Sequence, residues 1–416
     1  MQNNKLKQKF DIKKIRKEFP ILNRCVYNNY PLIYLDNAAT TQIPQVVIDV
    51  IDDYYQRYNA NIHRGIHCIS DEATIAYEDA RIIIRNFINA KDNREIIFTR
   101  GTTESINLVA QSYGRKEFKF GDEILISSME HHSNIVPWQL LAHDLGLIIK
   151  VIPIDEQGCI DIQNYEELFT KRTRIVTITH VSNVLGTINP IKLLANIAHK
   201  NNTLIIVDGA QAVQHIDVDV QDLDVDFYAF SGHKVYGPNG IGVLYGKLKL
   251  LELMPPWQGG GEMIESVNLE GKTKFSQSPH KFEAGTPAII EAIALGRALC
   301  WLTNYNFDFI KIWEKKLLFK AYKELQKIDG VYFIGKSYNK TAVISFVIEG
   351  IHAQDIGLLI DQYGVAIRTG HHCAQPLLNL YGLNSTCRIS FGIYNTLEEV
   401  NYFINSLHNV ISIMRG

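Results

Sequence analysis

Paired cysteines are absent from this chain. Its six cysteines, Cys25, Cys68, Cys159, Cys300, Cys373 and Cys387, are scattered, and no two form a C-x-x-C step. That scatter argues for free thiols over a disulfide framework and offers no zinc-ligand spacing. Long apolar runs are missing too. The best one, Ala288 to Leu302, is broken by Glu291 and Arg297 and reads as a buried helix, not a membrane span. Neither charge sign dominates: 42 Lys and Arg stand against 44 Asp and Glu, a formal net charge of -2. A broadly electrostatic nucleic-acid partner is therefore not indicated. There is no internal repeat and no low-complexity linker. The opening residues carry no secretory apolar core, so a cytoplasmic location is expected.

What remains is an ordinary globular composition, 46% hydrophobic and 21% charged over 416 residues. That length argues for two domains. The Lys5 to Lys17 stretch, with Phe10, Ile12, Ile15 and Phe19 interleaved, reads as a short amphipathic helix or an arm packed on the body. Asp11 and Glu18 interrupt its charge and serine is absent, which speaks against a transit peptide.

From about residue 95, short Ile- and Val-rich runs alternate with helix-period segments. The runs are Glu95–Thr99, Glu123–Ser127, Ile148–Pro153, Arg174–Thr179, Thr203–Asp208, Phe227–Phe230 and Ile241–Tyr245. They do not alternate cleanly with polar residues, as strands buried on both faces would not. Helical stripes fall at Ile106, Val109, Ala110 and Tyr113, and at Ile191, Leu194, Ala195 and Ala198. The pattern predicts an α/β domain with a large, doubly wound, mainly parallel sheet. The texture changes near residue 300. A helix over Phe307 to Lys327, runs at Val331–Ile334, Ala342–Ile348, Gly364–Arg368 and Arg388–Phe391, and a closing helix over Leu397 to Ile413 predict a smaller α+β domain. The expected division is an arm over 1–30, a large domain over 31–300 and a small one over 301–416. Trp257 to Pro279 reads as an extended excursion.

Ligand sites in doubly wound folds gather at the carboxyl ends of strands. Three candidates stand there. Gly101-Thr102-Thr103-Glu104 opens a helix after the first run, and reads either as a phosphate seat or as an N-cap. Asp208 ends an apolar strand, where an acid needs a partner such as a pyridinium N–H; a helix cap or a ribose contact is the other reading. Gln211 is three residues further on. Ser231-Gly232-His233-Lys234 follows Phe227–Phe230. A lysine there has the setting of a Schiff-base lysine, although a lone lysine is ordinarily solvent-facing.

A fourth candidate is the loop Arg368-Thr369-Gly370-His371-His372-Cys373. Its His-His-Cys triplet can be read as a metal site, but no further pair has zinc spacing, so no metal is expected. Cys373 sits among cations that favour a thiolate. Cys300, inside an apolar helical run, is the natural buried structural cysteine.

The segments YLDNAAT, HRGIH, RGTTESIN, MEHHSNIVPW, HVSNVLGT, VDGAQAV, FSGHKVYGPNGIG, FEAGTP and RTGHHCAQP follow one another between roughly residues 30 and 415. Together they resemble the group II, SUF-type cysteine desulfurases among the fold-type I pyridoxal-phosphate enzymes. The resemblance implies that Lys234 binds the cofactor, Asp208 pairs with the ring nitrogen, His131 stacks on the ring and Gln211 meets the phenolic oxygen. It also implies that Thr102, Thr103, Ser231 and His233 hold the phosphate, with Thr286 reaching the phosphate of the other subunit of a homodimer. It places Asn183, Arg368, Arg388 and His63 at the substrate, with Arg388 on the α-carboxylate. Cys373 would take sulfur from L-cysteine as a persulfide, releasing alanine, and pass it to an acceptor protein of the SUF iron–sulfur assembly system. Cleavage of L-selenocysteine is a compatible side reaction. Without the resemblance, His131 and His132 read as capping or core residues.

Overall fold

The computed structural model describes residues 11–27 and 29–416. The Lys5–Phe10 part of the expected arm lies outside the described residues.

Seven strands form the large sheet: β1 (Ile96–Thr99), β2 (Glu123–Ser127), β3 (Ile148–Ile152), β4 (Thr173–Thr179), β5 (Leu204–Asp208), β6 (Phe227–Ser231) and β7 (Gly242–Gly246). Their order is β1-β7-β6-β5-β4-β2-β3. Every pair is parallel except those of β7, which runs antiparallel to β1 and to β6. The expected strands therefore stand within a residue or so of their predicted bounds. Residues of β1, β2, β5, β6 and β7 are almost all buried, which explains why they do not alternate with polar residues. The exception is β3 at the sheet edge, where Ile148 and Val151 are exposed and Lys150 pairs with Glu123 at 2.9 Å.

The helix Ile289–Leu302 is as buried as its apolar run predicts. It packs on the helices Cys68–Phe87 and Gln45–Arg57. Cys300 is a correction: it is exposed, on the outward face shared with Arg297 three residues earlier. The buried thiol is Cys387, in the small sheet. No disulfide joins any of the six cysteines, all of which are free.

The smaller sheet is antiparallel: β8 (Val331–Ile334), β9 (Val343–Ile348), β10 (Arg368–Gly370) and β11 (Thr386–Ser390), in the order β8-β9-β11-β10. The helices Phe307–Leu325 and Leu397–Arg415 pack together and their apolar faces join its hydrophobic cluster. The predicted run Gly364–Arg368 is divided. Val365–Ala366 pairs in parallel with Ile33–Tyr34, and the chain then changes partners so that Arg368–Gly370 joins β11. The excursion over residues 257–279 carries only the short exposed pairing of Ile264–Ser266 with Lys274–Phe275.

The arm touches both parts of the molecule. Arg16 pairs with Glu399 at 2.8 Å, while Phe19 lies edge-on to Tyr394, Trp301 and Tyr236 at centroid distances of 4.5, 5.4 and 6.0 Å.

Candidate active site

The carboxyl ends of β1, β2, β4, β5 and β6 open into one cavity of about 210 Å³. After β1, the helix Thr102–Leu108 starts close against the sheet. A side chain at Gly242 on β7 would meet the Gly101 Cα at 2.4 Å, so the close approach requires glycine there. Ser231, at the end of β6, accepts a hydrogen bond from Thr102 N–H at 2.9 Å, and its hydroxyl meets that of Thr102 at 2.8 Å. Thr103 and His233 also line this end of the cavity. Backbone and hydroxyl donors at a helix start are an anion seat.

Lys234 follows on the turn Gly232–Lys234. Burial pushes its amine below the usual lysine value, and Asp208 opposes that shift. The Asp208 carboxyl, 4% exposed at the end of β5, is pushed up by burial. Among the described residues its side chain receives one hydrogen bond, from Ala210 N–H at 2.9 Å. A buried carboxylate so sparsely partnered has capacity for a cationic N–H. Gln211 donates to the Ala38 carbonyl at 2.6 Å, while its Oε1 is buried without a partner. These unspent groups, an amine and an anion seat in one cavity fit pyridoxal phosphate: each polar part of it meets an available complement.

His131 lines the same cavity. Its Nδ1 accepts from Ser133 N–H at 3.1 Å, which places the proton of the neutral ring on Nε2. Burial, with Lys234 adding to it, holds this ring neutral, its pKa lowered to about 3. The ring caps its turn and lines the site at once, so the two readings of this histidine are compatible.

The small sheet supplies the opposite wall. Arg388, on β11, is 2% exposed; its Nη2 donates to Asp36 Oδ1 at 2.9 Å and its Nη1 to the Asn183 carbonyl at 3.1 Å. Its Nε is buried with no partner. Arg368 lies near the same acid, 4.0 Å from Asp36 Oδ2. The loop after β10 is pinned around Cys373. Asn183 Nδ2 donates to the His372 carbonyl at 2.7 Å, the Cys373 carbonyl accepts from His132 N–H at 2.7 Å, and His372 Nε2 meets Thr386 Oγ1 at 2.8 Å. His372 and Cys373 both take left-handed backbone, φ 52° and 53°, uncommon outside glycine. That conformation aims Cys373 at the cavity, which it lines with Asn183, Arg368 and Arg388.

Two expected residues are elsewhere. His63 is exposed; its Nε2 lies 3.1 Å from Glu78 and its ring packs on His280 at 5.1 Å. It does not line the cavity of its own chain. Thr286 is likewise exposed and outside. Its segment is anchored by Glu283, which receives two hydrogen bonds, at 2.8 and 2.9 Å, from the buried Arg81.

Residue reasoning missed Asp36 and Glu130. Asp36 stands within YLDNAAT, where an acid directly after an apolar pair was the available signal. Glu130, fully buried, accepts from Ser127, from Asn134 Nδ2 at 2.6 Å and from Thr179 N–H at 2.8 Å. Burial raises its pKa to about 8. It braces the ends of β2 and β4 under the site.

The aminotransferase class-V family profile matches residues 33–403. A probable cysteine desulfurase of Vibrio cholerae is 46% identical over 400 residues, covering 96% of this chain and 98% of that protein. A cysteine desulfurase of Dickeya dadantii is 48% identical over 401 residues, covering 96% and 97%. The crystal structure of the Escherichia coli cysteine desulfurase CsdA, in an S-sulfonic acid form, superimposes with TM-score 0.91 at 39% identity, covering 98% of this chain and all of that one. The apo cysteine desulfurase of Thermococcus onnurineus gives TM-score 0.91 at 38% identity, covering 96% and 98%. With the fold, the cavity and these relatives in agreement, the chain belongs to the class-V aminotransferases, pyridoxal-phosphate enzymes of fold type I, and among them to the cysteine desulfurases.

Proposed function

We propose that this protein removes sulfur from L-cysteine, leaving it as a persulfide on Cys373 and releasing L-alanine. The observation that carries this reading is that Lys234, Asp208 and Cys373 line one cavity although they come from two sheets. Pyridoxal phosphate supplies the electron sink that weakens the Cα–H and then the C–S bond. Thr102, Thr103, Ser231 and His233 would hold its phosphate, Asp208 would keep its ring nitrogen protonated, Gln211 would serve its phenolic oxygen and His131 would pack against its ring. Lys234 would hold it, and the Lys234 Nζ would move the substrate Cα proton. Arg388 takes the α-carboxylate, for which its unpartnered Nε is a donor, while Arg368 and Asn183 flank the substrate. The Cys373 thiolate attacks the substrate sulfur. The S–S bond forms as the C–S bond breaks, and the carbon fragment takes up protons to leave as alanine.

The finer assignments extend this reading. The sulfur goes on to an acceptor protein of the SUF type, for iron–sulfur assembly in the cytoplasm. Residues 31–300 form a cofactor domain, residues 301–416 form the smaller domain that carries the Cys373 loop, and the preceding arm packs with that smaller domain. Thr286, exposed and outside its own cavity, suits a homodimer in which it reaches the partner's phosphate. L-Selenocysteine is a further substrate. Among the described residues no helix is long and apolar enough to cross a membrane.

Two variants separate the halves of the mechanism. Lys234→Ala abolishes turnover and the visible absorbance of bound cofactor. Cys373→Ala keeps that absorbance and loses alanine formation from L-cysteine, by about a hundredfold or more. Alanine release at the parent rate in the second variant would remove Cys373 from the chemistry.

A further inference from the structure

Away from the active site, a cleft of about 280 Å³ lies between the large sheet's connections and the small domain. Its titratable lining is Lys311, Glu314 and Lys315 on the helix Phe307–Leu325, Lys340 just before β9, and His215 after β5. Glu314 is already engaged. Its carboxylate faces His215 Nδ1 at 2.8 Å, and both side chains are almost wholly buried. That leaves three amines and no free carboxylate.

Lys340 is the unusual member. The backbone around it bridges the two parts of the molecule: Lys340 pairs with Thr187, Thr341 N–H donates to the Gly186 carbonyl at 2.9 Å and Ile188 N–H to that of Asn339 at 3.0 Å. The side-chain stem lies against Gly186, where an added Cβ would come within 3.2 Å of the Lys340 Cε. The amine makes one hydrogen bond, a long one of 3.3 Å to the Gly335 carbonyl. Burial lowers its pKa to about 8, with no acid offsetting it. A cation partly withdrawn from water without a counter-ion is under-compensated. Lys311 and Lys315, one helical turn apart on the same face and exposed, stand at the cleft's mouth. Among the described residues none of the three amines has an ion-pair partner.

We propose that this cleft binds a small, multiply charged oxyanion, with the half-buried Lys340 as its anchor and Lys311 and Lys315 closing over it. Phosphate and dicarboxylate groups share the required chemistry. Either would supply the missing counter-charge and tie the helix Phe307–Leu325 to the strand segment that spans both domains.

The test uses the cofactor-loaded enzyme, so that added phosphate does not enter the active site, with visible absorbance as the control. Inorganic phosphate and succinate are titrated separately by calorimetry, at constant ionic strength set with chloride. In parallel, acetic anhydride labelling of Lys340 is followed by peptide mass analysis at a pH near 8, where its amine is reactive. One or both anions should bind and slow Lys340 labelling, and the tighter one identifies the class. Lys340→Gln should weaken binding about tenfold or more, the loss of one charge-assisted hydrogen bond. The double variant Lys311→Gln/Lys315→Gln, changed only at exposed positions, should weaken it as well without disturbing the fold. Neither anion exceeding chloride in heat or in protection would overturn the proposal. So would unchanged affinity in both variants.

Discussion

Arg388 Nη2 and Asp36 Oδ1 stand 2.9 Å apart, joining the small sheet to the segment that follows Ile33–Tyr34. The same guanidinium donates to the Asn183 carbonyl, so one side chain ties three segments together at the wall of the cavity. Burial pushes the Asp36 carboxyl upward and Arg388 opposes this, as expected of an acid whose charge depends on its partner. Asp36→Asn should raise KM for L-cysteine about tenfold with a smaller change in kcat, because Arg388 loses its orientation before it meets the α-carboxylate. Stability should fall by about 2 kcal/mol, less than for a fully buried pair because Asp36 is partly exposed. Steady-state kinetics and thermal unfolding check both. An unchanged KM would show that Asp36 does not position Arg388.

Asn183 makes a different prediction. Its amide holds the His372 carbonyl at 2.7 Å, next to Cys373 in a loop of left-handed backbone. Asn183→Ala should release the loop and lower kcat about tenfold, while cofactor absorbance stays at the parent level. Loss of cofactor absorbance in this variant would place Asn183 in the cofactor seat instead.

Much of this architecture was legible in the chain. Runs such as Thr203–Asp208 and Phe227–Phe230 marked strands because a strand buried on both faces leaves no room for polar alternation. The reversal of β7 was not legible, since composition carries no direction. Nor was the division of Gly364–Arg368 between two partners, which depends on Ile33–Tyr34 arriving from far away in the chain. Of the site, Lys234 and Asp208 stood out because each follows a buried strand. Asp36 did not, because its importance rests on Arg388, 352 residues later. Cys300 misled for a related reason: an apolar helix still has an outward stripe, and Cys300 shares it with Arg297.

Acid stability provides a third prediction. His180 is buried, its Nδ1 2.9 Å from the Tyr228 hydroxyl, and burial lowers its pKa to about 4. Its folded pKa lies below the unfolded value of about 6.5, so the unfolded chain binds the proton first as pH falls. The neutral ring's contribution is therefore intact above pH 6.5 and is lost as pH drops towards 4, by about 3 kcal/mol over that window. His131 and His233, both lowered with burial as the largest cause, act in the same sense. Denaturant unfolding of the parent and of His180→Asn across this range should give curves that converge as pH falls. Parallel curves would show that His180 titrates alike in both states.

On the proposed mechanism, Cys373 receives the substrate's sulfur inside the cavity it shares with Lys234. The most direct test is to incubate the cofactor-loaded enzyme with L-cysteine in the absence of any reductant, then alkylate, digest and weigh the peptide containing Cys373, measuring alanine in the same sample. One added sulfur atom is expected on that peptide and on no other cysteine peptide, with one alanine formed per sulfur bound. Alanine produced while the Cys373 peptide keeps its original mass would contradict that mechanism.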